Sequence, residues 1–338
     1  MIAPMPEGTV EPGAGARTLG LLSVVAPLFN EEQTVAEFHR RATEALSEIP
    51  FELILVDDGS SDGTSSVLAS LAADDERTRV ITLSRNFGHQ AAITAGLDSA
   101  RGDAAVTMDG DLQDPPELIP EMLGRWRAGA DVVSGVREWR SGETRVKLAT
   151  ARWFYRLFGR IAQIDLQPEA GDFRLLDRSA LEALLGMRER NRFLRGMSVW
   201  VGFDQDSVPY TRDARHAGET KFTLSRMIRF GVDAISSFSY RPLQAATVLG
   251  FTFSLVAFFA IPVAIAFKIA GQFVPGVTTL LLVVLLLGGI QLITVGIIGE
   301  YLGRVYEEVK QRPLYVVRGR LNAQPPREGI ADDARERG

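Results

Sequence analysis

Two stretches near the C-terminal end hold no ionisable residue, and they limit the possible folds more than any other feature of the chain. Between Arg241 and Lys268 runs PLQAATVLGFTFSLVAFFAIPVAIAF, and between Lys268 and Glu300 runs IAGQFVPGVTTLLLVVLLLGGIQLITVGIIG. Each exceeds the roughly 20 apolar residues with which a helix crosses a bilayer core. A core helix of a soluble protein keeps a polar face, and neither stretch has one. Residues 271–279 between them carry Pro275 and Gly276 and read as a tight turn. The expectation is a hairpin of two transmembrane helices.

Flanking cations orient that hairpin. Arg212, Arg215, Lys221, Arg226, Arg229 and Arg241 precede the first stretch, and Arg304, Lys310, Arg312, Arg318 and Arg320 follow the second. The connecting turn offers only Lys268. Cytoplasmic segments collect such charge, so both termini and the bulk of the chain are expected in the cytosol. The implied location is the cell inner (cytoplasmic) membrane, with a multi-pass topology. The opening MIAPMPEGTVEPGAGARTLG has neither the basic nor the apolar region of a signal peptide and reads as disordered.

With 37 Lys and Arg against 42 Asp and Glu, the net charge of −5 gives no footprint for nucleic acid. The chain has no Cys, which excludes disulfides, zinc thiolates and cysteine nucleophiles; three His make a His-rich metal site improbable.

From Leu21 onward, short apolar runs alternate with helical patterns. The runs are LLSVVAPLFN, FELILVDDGS, RVITLSRN, DAAVTMDGD and ADVVSGVR. In residues 31–49, Val35, Phe38, Ala42, Ala45, Leu46 and Ile49 fall on one helical face, with Asn30 and Gln33 spaced as in a capping box. Near-continuous apolar strands separated by helices predict an α/β fold, a mainly parallel sheet flanked by helices. Each run ends in polar residues: Asn30, Asp57–Asp58, Arg85–Asn86, the Asp109 to Asp111 group, and Arg137. Ligands of open α/β sheets bind beyond the carboxyl ends of the strands, so these groups should converge on one crevice.

The segment VTMDGDLQDPPE sets Asp109, Asp111, Asp114 and Glu117 within nine residues. Asp114, before Pro115–Pro116, can be read as a helix N-cap. Asp109 and Asp111 need a cation or a positive partner to offset their repulsion. GAGARTLG precedes the first strand with the wrong spacing for a dinucleotide fingerprint, and AGETK lacks the phosphate-loop spacing. A carboxylate-lined crevice of this kind suits a diphosphate held through a divalent cation such as Mg²⁺ or Mn²⁺.

Taken in order, VVAPLFNEE, LVDDGSSDGT, SRNFGHQAA and MDGDLQDPPE resemble the family 2 inverting glycosyltransferases of GT-A fold, a Rossmann-like architecture. GDFRLLDR, RHAGETKF and the apolar hairpin narrow the resemblance to polyprenyl-phosphate glycosyltransferases, such as the bactoprenol glucosyltransferases and dolichyl-phosphate mannose synthase. The resemblance spans residues 23–312. It implies Mg²⁺ or Mn²⁺ on Asp109 and Asp111, with Gln113 completing the shell, and a nucleotide contacted by Pro27, Glu31, Asp57 and Asp58. It places Asp172 of GDFRLL at the catalytic step alongside Asp111. Arg215 and Lys221 of RHAGETK would meet phosphate, and the cluster Arg137, Arg140 and Arg145 offers further cations. His89 lies at a helix start near the crevice; His39 reads as surface, and His216 borders the Lys221 segment.

A phosphate monoester has a second pKa near about 6, so the acceptor is mostly dianionic at neutral pH and needs little base. Asp172 can therefore act by positioning the acceptor, orienting an arginine or steadying charge at the anomeric carbon. Residues 221–241 set Leu224, Met227, Ile228, Ile235 and Phe238 along one side, which reads as an interfacial amphipathic helix. The expected organisation is a disordered N-terminus (1–20), a GT-A domain (21–220), the interfacial helix (221–241), the transmembrane hairpin (242–303) and a cytosolic tail (304–338). The expected reaction moves a hexose, glucose favoured, from a nucleotide sugar (UDP favoured over GDP) to an undecaprenyl-type polyprenyl phosphate. Bilayer lipid, a second copy of the chain and a downstream flippase or transferase complete the expected partners. Rival readings are a processive polysaccharide synthase, which would carry QxxRW where this chain has NRFLRG; a non-catalytic membrane scaffold; and a nucleotidyltransferase.

Overall fold

The computed structural model describes residues 17–137, 170–211, 241–270 and 276–323. The chain divides into two units: Met1–Tyr155, Ile164–Lys221 and Pro313–Gly338 form the first, and Arg156–Gln163 with Phe222–Arg312 the second.

In the first unit, β1 (Leu22–Leu28) and β2 (Phe51–Asp57) are buried at every residue, which is why their sequences lack polar alternation. With β3 (Thr78–Leu83) and β4 (Ala104–Thr107) they make a parallel core in the order β3-β2-β1-β4. The helices α1 (Val35–Ala45), α2 (Thr64–Asp74) and α3 (His89–Asp98) connect these strands, and α4 (Ile119–Arg127) leads from β4 to β5 (Val132–Arg137). β6 (Ala170–Asp177) runs antiparallel between β4 and β5, β7 (Gln205–Tyr210) lies parallel beside β5, and β8 (Val317–Leu321) pairs antiparallel with β3. Two short helices, α5 (Arg178–Gly186) and α6 (Leu194–Trp200), join β6 to β7.

The eight-stranded sheet is therefore mixed, where the sequence suggests a mainly parallel one. The reversal has a simple geometric origin. β5 ends at the edge of the sheet where β1, β2 and β4 also end, and β6 begins at that same edge, so it must run back antiparallel. This carries Asp172, the third residue of β6, to the strand ends that bear the acidic cluster.

Several local expectations are corrected. Helix α1 starts at Val35 with Thr34 at the cap position, not at Asn30. Asn30 adopts φ 57° and its side-chain oxygen accepts a 2.8 Å bond from the Ser61 amide, so it joins two loops instead of opening a helix. Val35, Phe38, Ala42 and Leu46 are fully buried as the periodicity requires, whereas Ile49 lies past the helix and is half-buried. His39 is not a surface residue: 14% of its side chain is exposed and Nε2 lies 2.8 Å from Thr78 Oγ1. Asp114 does not cap the turn that begins at Pro116; it is 1% exposed and accepts a 2.5 Å bond from the Tyr210 hydroxyl.

Both ends of the domain are tied down. Arg17, in the stretch expected to be disordered, donates to the Ala130 carbonyl (2.8 Å) and to Asp131 (2.6 Å). Residues 317–321, assigned by sequence to the tail, supply the edge strand β8. Tyr315 anchors the approach to that strand by donating to Asp98 at 2.7 Å, and Asn322 closes it on the Ala72 and Thr78 carbonyls.

The second unit contains α7 (Arg241–Ile269), with Pro262 in its interior, and α8 (Val277–Val309). Among the described residues one segment, Leu286–Val309, is long and apolar enough to cross a membrane. Leu292 and Ile293 on it are 74% and 62% exposed. Most of the expected interfacial helix lies outside the described residues.

Candidate active site

The site is built from loops at the carboxyl ends of β1, β2, β3 and β4 and from the start of β6. After β2 comes DDGSSDGT. Asp57 is fully buried and accepts from the Ser60 amide (2.9 Å) and the Ser65 hydroxyl (2.5 Å), so its carboxylate organises its own loop. Gly59 turns the chain at φ +71°, and a Cβ there would lie 2.5 Å from the Arg85 carbonyl carbon. This close approach brings the loop after β3 against Asp58. The Asp58 carboxylate accepts from the Phe87 amide at 2.7 Å and the Gly88 amide at 2.9 Å. Burial pushes its pKa up, partly offset by those two bonds. Together they fix Gly88, at φ 99°, and aim His89, the first residue of α3.

His89 Nε2 stands 3.2 Å from Asp172 Oδ2 and 3.5 Å from Asp109 Oδ1. Asp109 lies two residues past the end of β4 and Asp172 within β6, and they meet because the two strands are antiparallel, with Thr107 opposite Arg174. The Thr107 hydroxyl donates to the Asp172 carbonyl at 2.5 Å and Gln90 Nε2 to its carboxylate at 3.3 Å. Gln90 Oε1 in turn accepts from the Leu194 amide at 2.9 Å, which ties α6 to α3.

The two carboxylates sit in opposite electrostatic surroundings. Burial, with the charges of Asp114, Asp172 and Asp111, pushes Asp109 up to about 6 despite the nearby His89. Burial would raise Asp172 as well, but the His89 bond and the guanidinium groups of Arg195 and Arg174 hold it far below the usual range. Burial tends to lower His89, and the bond to Asp172 with the charges of Asp109, Asp172 and Asp58 reverses that.

Asp111 Oδ1 accepts from the Gln113 amide at 3.1 Å, and Gln113 is 6% exposed. No group of three or more His, Asp and Glu forms a metal cage among the described residues. Two carboxylates one residue apart, Asp109 and Asp111, nevertheless suit a hard divalent cation that takes its remaining oxygens from substrate. Pro27 is buried in β1 opposite Val56, and the Glu31 carboxylate accepts from the Thr34 hydroxyl at 2.5 Å. Arg137 closes the far side at the end of β5. Its Nε donates to the Tyr210 hydroxyl at 3.2 Å, Nη2 lies 3.9 Å from Asp114, and its pKa is raised, the Tyr210 bond and the charges of Asp114 and Asp109 outweighing burial.

Of the residues expected from sequence, the structure brings Asp58, Asp109, Asp111 and Asp172 to one crevice with His89, and Arg137 to its flank. Asp57 is sealed within its loop. Arg140, Arg145, Arg215, Lys221 and His216 lie outside the described residues. Sequence reasoning passed over Gln90, Arg195 and Tyr210, whereas Arg174 of GDFRLL was already readable as a partner for Asp172; Arg195 lies in NRFLRG, a stretch with charged residues inside an apolar pattern.

Residues 23–185 match the family model described as Glycosyl transferase family 2. The chain is 44% identical over 298 residues to Uncharacterized glycosyltransferase YkcC of Bacillus subtilis, spanning 87% of this chain and 92% of that one. It is 40% identical over 300 residues to Bactoprenol glucosyl transferase of Shigella phage SfII, spanning 88% and 97% respectively. A solved structure of glucosyl-3-phosphoglycerate synthase from Mycobacterium tuberculosis overlaps with TM-score 0.43 and 21% identity, over 64% of this chain and 78% of that one.

Proposed function

The chain belongs to glycosyltransferase family 2, and from that premise we propose that it transfers a hexose from a nucleotide sugar to polyprenyl phosphate at the cytosolic face of the membrane. Glucose is the favoured sugar, on the name borne by the phage relative, and UDP is the favoured nucleotide, as expected from the sequence resemblance. The observation that carries the reading is the crevice itself, where His89 stands between Asp109 (3.5 Å) and Asp172 (3.2 Å), burial raises the first carboxyl, and Arg174 and Arg195 act with His89 to lower the second. An anionic donor bridged by a cation suits the first environment, and an anionic acceptor suits the second.

In the proposed reaction a phosphate oxygen of the acceptor attacks the anomeric carbon. The bond from that carbon to the nucleoside diphosphate breaks, and the configuration inverts from α to β. Asp109 and Asp111 would hold Mg²⁺ or Mn²⁺, Gln113 completing the shell; the ion, when bound, neutralises charge on the departing diphosphate. Asp58 keeps His89 in place through the Phe87 and Gly88 amides, and Pro27 and Glu31 border the donor side. Asp172 is a poor proton acceptor in its surroundings, and a dianionic phosphate needs none. Its task is to hold His89 and the arginines. Arg137 faces the phosphates from β5, with Arg140, Arg215 and Lys221 as further cations.

The domain plan accompanying this reading is the one expected from sequence, with residues 242–303 as a two-helix membrane hairpin. Its support is topological. β3 and β8 are hydrogen-bonded neighbours, so residues 78–83 and 317–321 lie on one side of any membrane. The number of crossings between them is therefore even, and a hairpin satisfies this where a single span does not. Residues 317–323 are then part of the catalytic domain. The interfacial helix would hold the crevice over a lipid phosphate at headgroup level.

The reading is tested with detergent-purified protein, undecaprenyl phosphate and Mg²⁺ or Mn²⁺. UDP-glucose, UDP-N-acetylglucosamine and GDP-mannose are supplied separately, and the lipid product is weighed by mass spectrometry. A metal-dependent glucosyl product is expected. Folded protein that gives no lipid product with any donor overturns the reading.

A further inference from the structure

Around Asp172 the charges do not balance. Arg174 and Arg195 both act on this single carboxylate, and His89 donates to it as well. Arg174 is 3% exposed and is committed to the fold: its guanidinium donates to the Ser198 hydroxyl and, at 2.9 Å, to the Gly171 carbonyl. Burial lowers its pKa to about 10, so it remains charged at neutral pH.

Arg195 differs. Its side chain is 22% exposed, and Nη2 stands 3.7 Å from Asp172 Oδ1, an ion pair beyond hydrogen-bond reach. Its Nε is buried with no hydrogen-bond partner, as are those of Arg174 and Arg192, but its terminal nitrogens, unlike theirs, make no hydrogen bond among the described residues. A guanidinium carries five N–H donors in a planar fork matched to carboxylate or phosphate, and a buried donor without a partner is costly. One carboxylate facing two guanidinium groups leaves the Arg195 fork with donors that an anion would complete.

The geometry assigns Arg195 as a binding residue for the phosphate group of the acceptor. The inference rests on the function proposed above. Asp172 aims the guanidinium while leaving its donors unsaturated, and the Arg195 carbonyl, accepting from the Ser198 hydroxyl at 3.0 Å, fixes the start of α6. Gln90, bonded to both Asp172 and the Leu194 amide, sets the distance between the two elements. The donor diphosphate has the same chemistry as the acceptor phosphate. The acceptor is favoured because Arg195 lies on the Asp172 side of the crevice, where Arg174 and His89 also gather and no bridging cation is needed.

The test compares the full-length protein with its R195Q and R195K variants in detergent, varying undecaprenyl phosphate and the sugar nucleotide in turn. Losing a charge-assisted pair of hydrogen bonds should raise KM for the lipid phosphate about tenfold or more in R195Q. KM for the sugar nucleotide should rise less than KM for the lipid phosphate. R195K keeps the charge but loses the fork, and should fall between the two. If R195Q does not fold, R195K alone decides, through the same selective rise in acceptor KM. A rise confined to the donor, or no change in either KM, overturns the assignment. Wild-type protein that transfers nothing to polyprenyl phosphate overturns the function beneath it, a result distinct from an active wild type whose Arg195 variants are unaffected.

Discussion

At the scale of single residues, the crevice stores electrostatic cost for later use. The folded pKa of Asp109, about 6, lies above its ordinary 3.8. The resulting penalty is absent below the lower value and complete above the higher one. D109N should therefore raise the thermal midpoint of metal-free protein by roughly 2–6 °C at pH 8 while abolishing transfer. That advantage should vanish as pH falls through 6 towards 4, which differential scanning fluorimetry can follow; a lowered midpoint at pH 8 contradicts the electrostatic reading. Tyr210 makes a different prediction. Its hydroxyl donates to Asp114 and accepts from Arg137, while its ring packs edge-on against Phe173 at 5.8 Å. Y210F keeps the ring and should cost about 1–2 kcal/mol in denaturant unfolding. It should also weaken turnover by releasing Arg137, and an unchanged kcat/KM would show that Arg137 needs no such support.

At the scale of elements, two loops and one strand decide whether the site assembles. The turn at Gly59 has both a positive φ and backbone from the β3 loop where a Cβ would go. G59A should destabilise by about 1–3 kcal/mol and displace the loop that aims His89. Sugar-nucleotide affinity measured by calorimetry should fall with it, and unchanged affinity would separate this turn from the site. Much at this scale was legible beforehand: β1 to β5, α1 and the convergence of their ends follow from apolar runs and the polar residues that close them. What escaped was what neighbours decide. Asn30 reads as a helix cap until Ser61 competes for it, and Asp114 does until Tyr210, 96 residues away in sequence, claims its oxygen. β6 was visible only as a motif, so its direction, and with it the meeting of Asp172 and His89, needed the sheet. Arg195 could not be recognised from NRFLRG because its importance lies in what surrounds Asp172.

At the scale of the whole molecule, the sheet takes strands from both sides of the apolar helices in sequence, and Tyr315 on Asp98 secures the return. Y315F should speed amide exchange in residues 317–321 and 80–83 ahead of the rest of the sheet. The absence of Cys makes the proposed even-crossing topology directly measurable with single introduced cysteines. In intact cells a membrane-impermeant maleimide should label Q272C but reach R320C only after permeabilisation; external labelling of R320C would contradict the hairpin. The central claim, inverting sugar transfer to a lipid phosphate in a cation-bridged carboxylate crevice, is tested most directly by the anomeric configuration of the product. Purified protein with Mn²⁺, undecaprenyl phosphate and α-linked UDP-glucose should yield a β-linked glucosyl phosphate lipid by NMR, lost on metal removal. An α-linked product, or the same product formed without metal, would contradict the account.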